Sequence, residues 1–396
     1  MRGVARLRRA PAAAWLALVV IALAASWASS GAASRLVLAL RILDDLRRPG
    51  AHSWLERTTP PPRKQAIRLE GGPGRFAADL YRPAGGGSAV PLVLVPGAVE
   101  LGKDDPRVAP FAGLLARSGF TVIVPDLPSM RSLRVEPDNL RELVAVHELV
   151  CARRSLAPRG RAGLLGVSYA GGIALLVALD PARAAAVPYV ATVGTFADLD
   201  TAVRFLATGR VFERSASRLV PVDPYGQLVF VRTYEEFLVN ERDREGLETI
   251  IARRTADPAA GIADVLSRLS PDGRLVIDLF ESHEEARVPE LMARLPDALR
   301  RRIAALSPAR HPFSSLRARL YLAHARDDGI FPASESERLA VLAAPHVPVH
   351  RITLVALHHA EPEPWHRDLR GFLTRDFPEA ARLAGWWAAF LTERDR

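Results

Sequence analysis

From Gln65 onward the chain sets short apolar runs against longer amphipathic stretches. "QAIRLEGGPGRFAADLYRP" alternates polar and apolar residues and turns at Gly71-Gly72-Pro73-Gly74, which predicts a β-hairpin. "VPLVLVPG", "FTVIVPD", "RAGLLGVS" and "VPYVATVGTF" are nearly continuous apolar runs, the mark of strands covered on both faces. Between them, Val108–Ser118, Asn139–Arg154 and Gly171–Leu179 carry helical patterns. Strands alternating with helices predict a mostly parallel sheet with helices on both sides. The rhythm stops after Phe196. Roughly Leu199–Arg310 has helical periodicity, as in "TYEEFLVNERDREGLETIIARR" and "VPELMARLPDALRRRIAAL", and few convincing strands. It resumes with "ARLYLAHARDDG" and "VHRITLVALHH". One sheet domain interrupted by a mainly helical insertion accounts for this order.

The N-terminal end obeys a different rule. Arg2, Arg6, Arg8 and Arg9 precede an uncharged apolar run from Ala12 to about Ala28, with Trp15 and Trp27 near its ends. That is the pattern of an export signal or a single membrane anchor, at the short end of the about 17–25 residues that span a bilayer. "RLVLALRIL", closed by Asp44-Asp45, continues as an amphipathic helix, and "TTPPPRK" reads as a stiff proline linker. The organisation expected is therefore 1–45 signal or anchor with its helix, 46–62 linker, 63–198 first part of the sheet domain, 199–310 insertion and 311–396 second part. The basic flank places the residues beyond the apolar run outside the cytoplasm, either membrane-anchored or exported.

Composition narrows the function classes. The 396 residues are 49% hydrophobic and 24% charged, ordinary globular values. A net charge of +9 and a pI near 10.4 would suit nucleic acid or anionic lipid. Yet Lys64 and Lys103 are the only lysines, the arginines are scattered, and no nucleic-acid motif accompanies them, so no nucleic-acid partner is expected. Cys151 stands alone, which rules out an intrachain disulfide. Gly85-Gly86-Gly87 lacks the Lys-Ser/Thr of a phosphate loop, and no cofactor is expected.

The chemistry concentrates at "GVSYAG", Gly166–Gly171, where one apolar strand ends and a helix begins. A serine there sits on a sharp turn between small residues, the Gly-x-Ser-x-Gly elbow with Ala170 in place of the last glycine. The competing reading is a helix N-cap serine. A serine hydroxyl attacks only when a base removes its proton and a third group orients that base. Among the histidines, His147 lies inside a helix, His283 and His311 in or at the edge of the insertion, and His52 ahead of the sheet domain. His324 ends a strand and His350 starts one. His358 and His359 come immediately after the last strand; His359 is preferred as the base, with His358 as the alternative. Asp328 is the favoured acid, on the loop after "ARLYLAHA", with Asp327 beside it and Asp198 or Asp200 after the strand ending at Phe196 as alternatives. The backbone N–H groups of Tyr169 and of Ala98, or Val99 if the turn shifts, are the oxyanion donors expected. "HHAEPEPWH" offers His358, His359, Glu361 and His366 for a metal, but the spacing matches no standard zinc set and Pro362 and Pro364 break any helical face. No metal is expected.

Taken together, "VLVPG", "GVSYAGG", "HARDDGIFP" and "HHAEP" resemble the α/β-hydrolase superfamily, over roughly Arg63 to Phe390 with the insertion excepted. Many relatives read His-Gly-x-x-Asp-x-x-Val-Pro at the acid loop; here that register falls on His324, Ala325, Asp328, Phe331 and Pro332, which supports Asp328 over Asp327. Pro96, where relatives often carry histidine, and Ala170 depart from the pattern without removing a catalytic group. The resemblance implies an eight-stranded, mostly parallel sheet flanked by helices, a cap over the nucleophile, and the order Ser168–Asp328–His359. The activity expected is hydrolysis of a small-molecule carboxylic ester, apolar esters by preference, through an acyl-enzyme on Ser168. Amide or peptide cleavage and a non-catalytic binding scaffold are the alternatives.

Overall fold

The computed structural model describes residues 31–47, 52–213, 216–282, 284–355, 357–358, 361–362 and 371–396. Strands β1 (Arg63–Gly71) and β2 (Gly74–Arg82) form the expected hairpin; after them come β3 (Leu92–Val95), β4 (Val122–Pro125), β5 (Gly163–Val167) and β6 (Tyr189–Val193). Two further strands lie in the insertion, β7 (Arg210–Glu213) and β8 (Ala216–Leu219). The sheet then takes up β9 (Arg319–Ala325) and β10 (Val349–Leu354). Eight strands make one sheet in the order β1-β2-β4-β3-β5-β6-β9-β10. β2 pairs antiparallel with both β1 and β4, and every later pairing is parallel, so β2 alone runs against the rest.

The apolar runs become strands because each residue in them has a face to bury. Val93 and Val95 enter one core with Ile123, Leu164, Val190 and Leu322. Leu92 and Leu94 enter the other with Val124, Leu165, Ala191 and Tyr321. Successive side chains of a strand point to opposite faces, so a strand covered on both sides must be apolar throughout. Helices Pro137–Ala152 and Tyr169–Leu179 cover the first face, and Val108–Arg117 and Phe377–Phe390 the second.

Three departures from the sequence reading have local causes. The insertion carries a short antiparallel hairpin, Arg210 opposite Leu219; its exposed Phe212 and Leu219 leave no amphipathic signature to read. "VHRITLVALHH" is not one strand: β10 stops at Leu354, and Leu357–His358 pairs instead with Glu361–Pro362 in a separate ladder. Just beyond that end, the Val355 N–H donates to the carboxylate of Glu379, on the helix Phe377–Phe390. Within the residues read as a linker, Trp54–Thr58 forms a short helix whose first turn is capped by Ser53 Oγ, 3.1 Å from the Glu56 N–H.

"RLVLALRIL" is helical, as expected, within Ala32–Arg47. It buries Ala39, Ile42 and Leu43 in the core that also holds Trp387 and Phe390 of the helix Phe377–Phe390. Arg35 and Asp395 pair at 3.1 Å and tie this helix to the C-terminal end. The apolar run Ala12–Ala28 lies outside the described residues. Among the described residues no helix is long and apolar enough to cross a membrane.

Candidate active site

The parallel strands end level with one another. Val95 of β3 is opposite Gly166 of β5, Val167 opposite Val193 of β6, Val193 opposite Ala323 of β9, and Ala325 opposite Leu354 of β10. Their C-terminal ends therefore form one edge, the place where open α/β sheets collect ligands. The loops that leave it carry Ala98, Ser168, Asp198 and Asp328.

Ser168 comes directly after β5 and holds φ 55°, ψ −129°, a conformation that costs a residue with a Cβ about 1–3 kcal/mol. Its N–H donates to the Val193 carbonyl at 2.7 Å, and Gly171 N–H returns to its own carbonyl at 3.0 Å. The helix Tyr169–Leu179 starts at the next residue, and the serine hydroxyl makes no capping hydrogen bond to it. Gly166 makes the turn sterically feasible: a Cβ there would lie 2.5 Å from the backbone of Ala170 and Gly171. A strained, uncapped serine between strand and helix has the backbone geometry of a nucleophile elbow, here on an eight-stranded sheet with one reversed strand. The chain has the α/β-hydrolase fold.

In this fold the glycine is a backbone requirement, and it yields a prediction. Gly166→Ala presses a methyl group against main-chain atoms that cannot rotate away, and is expected to cost about 3 kcal/mol or more. A thermal or urea melt checks it; a midpoint equal to that of the unsubstituted protein contradicts the close approach.

The loop after β3 runs against the elbow. A Cβ on Gly97 would stand 3.2 Å from both the Ser168 Cβ and the Val167 carbonyl oxygen, so a side chain there would crowd the two loops. Among the described residues, the N–H groups of Ala98 and Tyr169 donate to no backbone or side-chain acceptor. Tyr169 is rigidly held: its ring stacks on Phe196 with centroids 5.5 Å apart, and its hydroxyl donates to Asn139 Oδ1 at 2.9 Å. Burial pushes that phenol far above its ordinary range, so it stays a donor.

Asp328 is fully buried after β9. Its Oδ1 accepts from the N–H of Ile330 at 2.9 Å and of Phe331 at 3.0 Å, which folds the loop around the carboxylate. Oδ2 is 3.5 Å from His324 Nε2, whose N–H goes to the Phe331 carbonyl at 2.8 Å. β6 separates β5 from β9, so the two loops emerge about 10 Å apart. Asp327 points away, exposed and paired with Arg218. Asp198 is buried but committed: it meets Arg310 at 2.8 Å and Arg338 at 3.5 Å and caps the helix Leu199–Thr208 through the Asp200 N–H. Asp200 pairs with Arg204 on that helix. Glu335 accepts from the N–H groups of Ala197 and Asp198 and from the Thr201 hydroxyl, and burial raises its pKa. His358 is placed by its backbone in the short ladder opposite Glu361. His359 and His366 lie outside the described residues. Among the described residues there is no cluster of three or more His, Cys, Asp or Glu that suits a metal.

The insertion covers this edge through the helix Pro224–Glu235. Asp223 donates its N–H to the Gly329 carbonyl at 2.9 Å, and the Tyr225 hydroxyl donates to the Ala98 carbonyl. At the other end, Thr233 Oγ1 accepts from the Val135 N–H at 2.9 Å and Glu235 pairs with Arg134. Neither Tyr225 nor Arg134 was legible as a site residue, because nothing in the local pattern says which loop a cap helix will meet.

No family model matches the chain, and no curated protein matches it. Solved structures similar to it include a puromycin-hydrolyzing peptidase of Mycobacterium tuberculosis, at 14% identity and TM-score 0.46 over 84% of this chain and 39% of that one. An acylaminoacyl peptidase of Pyrococcus horikoshii is similar at 11% identity and TM-score 0.48, over 86% of this chain and 42% of that one. Brefeldin A esterase, a bacterial homologue of human hormone sensitive lipase, is 15% identical with TM-score 0.46, over 92% and 88%. The chain spans about two fifths of the length of the two peptidases.

Proposed function

We propose that the protein is a serine hydrolase that cleaves a carboxylic ester through an acyl-enzyme on Ser168. The observation that carries this reading is the serine itself, held at φ 55° at the end of β5 with its hydroxyl unspent on helix capping. Strain of this kind persists only where the surroundings over-determine it, and such positions cluster at reactive sites. In the proposed sequence, Ser168 Oγ attacks the carbonyl carbon while His359 accepts its proton. Asp328 orients the imidazole and stabilises its cationic form. The N–H groups of Tyr169 and Ala98 receive the developing oxyanion. The same imidazole then protonates the departing alcohol, and a water molecule, deprotonated by it in turn, releases the acid and restores Ser168. The roughly 10 Å between the ends of β5 and β9 suits one imidazole with a hydrogen bond on each side.

A fluorophosphonate probe tests the reading, since it reacts with an activated serine whatever the substrate; labelling at Ser168 is expected. Paired p-nitrophenyl esters and p-nitroanilides of equal acyl group then separate ester from amide preference, and esters of longer chain are expected to turn over faster than acetate. An unlabelled protein with no turnover on either series favours the binding-scaffold alternative.

We further propose that the N-terminal segment anchors the protein to a membrane or exports it, with the hydrolase domain outside the cytoplasm. Supporting this are the arginines ahead of the uncharged run Ala12–Ala28 and the helix Ala32–Arg47, which docks on the domain directly after it. Alkaline phosphatase fused at the C-terminus is expected to be active; activity only from a cytoplasmic reporter sinks the topology.

A further inference from the structure

We propose that Tyr225 is a positioning residue for the oxyanion loop, making full transition-state stabilisation conditional on a seated cap. The inference rests on the hydrolase reading above.

The helix Pro224–Glu235 begins at a junction of two loops that leave different strands. Asp223 Oδ1 caps it by accepting the Tyr225 N–H at 2.9 Å, while the Asp223 N–H reaches the Gly329 carbonyl, one residue beyond Asp328. Gly329 has no room for a side chain there, since a Cβ would stand 2.8 Å from the Pro221 carbonyl oxygen and 3.0 Å from Asp223 N. Two residues on, the Tyr225 hydroxyl donates to the carbonyl of Ala98, the residue after the glycine that abuts Ser168. One turn of the cap thus holds the acid loop and the oxyanion loop together.

A peptide unit is planar, so a fixed Ala98 carbonyl fixes the plane that carries the Val99 N–H and restrains the adjoining Ala98 N–H. Oxyanion donors act through prior orientation; a loop free to rotate about Ala98 would spend part of its time aiming elsewhere. Burial, with the Glu100 carboxylate nearby, pushes the Tyr225 phenol up to about 12, so it remains a protonated donor through the working pH range of an ester assay. The far end of the helix is pinned independently, by Thr233 on Val135 and by Arg134 on Glu235 and Glu236, while Arg302 bridges Glu236 to the Val135 carbonyl. Removing the tyrosine hydroxyl therefore loosens the loop without unseating the cap.

The test is Tyr225→Phe, which keeps the ring at a position 38% exposed and so preserves the fold. The kcat for a p-nitrophenyl ester is expected to fall about 10–100-fold, less than the 10²–10³ lost when an oxyanion donor is itself removed, with KM within about twofold. Inhibition by phenylboronic acid, which mimics the tetrahedral intermediate, should weaken by the same factor as kcat/KM falls, a correlation that a merely structural role would not produce. Equal kcat and equal boronate inhibition in the two proteins overturn the proposal while leaving the hydrolase reading intact. A loss carried by KM alone overturns it too, by assigning Tyr225 to substrate binding. A wild-type protein that takes no fluorophosphonate and cleaves no ester overturns the hydrolase reading and this inference with it.

Discussion

Ser168→Ala is expected to lower kcat on any ester substrate by about 10⁶-fold, or to the assay background, and to abolish fluorophosphonate labelling. Removing the nucleophile of a triad leaves only what the oxyanion donors and binding supply, about 10³–10⁴ over the uncatalysed rate. Six decades correspond to about 8 kcal/mol of transition-state stabilisation, so no modest rearrangement imitates the result. The substitution is also a clean one. The Ser168 hydroxyl caps nothing, and alanine carries the same Cβ into the same φ 55° backbone, so strain is unchanged. Thermal stability should stay level or rise slightly, as it does when a strained functional site loses its chemistry. Steady-state kinetics beside a melt settle it: a variant that unfolds at the normal temperature yet keeps a tenth of the activity would remove Ser168 from the mechanism.

The second large effect belongs to Asp328→Asn, with an expected loss of about 10⁴-fold in kcat. Asparagine retains a carbonyl oxygen for the Ile330 and Phe331 N–H groups, so the loop keeps its turn. What it loses is a buried negative charge able to hold an imidazolium, and an acceptor able to select the histidine tautomer that leaves Nε2 free for the serine proton. The paired controls separate charge from position. Asp327→Asn removes only an exposed pair with Arg218, a contact of the kind worth about 0–1 kcal/mol, and should leave kcat within about twofold. Asp198→Asn strips Arg310 and Arg338 of their buried partner, so it should lower stability while leaving activity per folded molecule unchanged. If Asp198→Asn takes the 10⁴-fold loss instead, the acid belongs after β6 and the assignment fails.

Much of this arrangement was readable in advance because its causes are local. Within "VPLVLVPG" and "RAGLLGVS" the strand residues Leu92–Val95 and Gly163–Val167 carry no polar side chain since both faces of a central strand are covered, and they end where Pro-Gly and the elbow begin. Gly166, Ser168 and the small residues after them announce a turn whose steric demands lie within about six residues. Elsewhere local signal failed. Arg210–Leu219 forms a hairpin that buries Val211 but leaves Phe212 and Leu219 exposed, so no clear periodicity marks it. β10 ends at Leu354, and the next N–H goes to Glu379, on a helix later in the chain that no local pattern ties to this strand.

The chain's own pattern determined a parallel sheet, a serine elbow and an inserted helical unit, because strand burial and turn sterics are properties of neighbours in sequence. Only the folded molecule showed that Asp198 is held by two arginines. Asp198 and Asp328 both come after sheet strands and are both buried, and the difference lies in the arginines brought to Asp198 from positions 310 and 338. It also decided that Tyr225 meets Ala98, residues more than a hundred positions apart. Long-range contacts of this kind depend on how the cap packs across the strand ends, and no stretch of sequence encodes that alone.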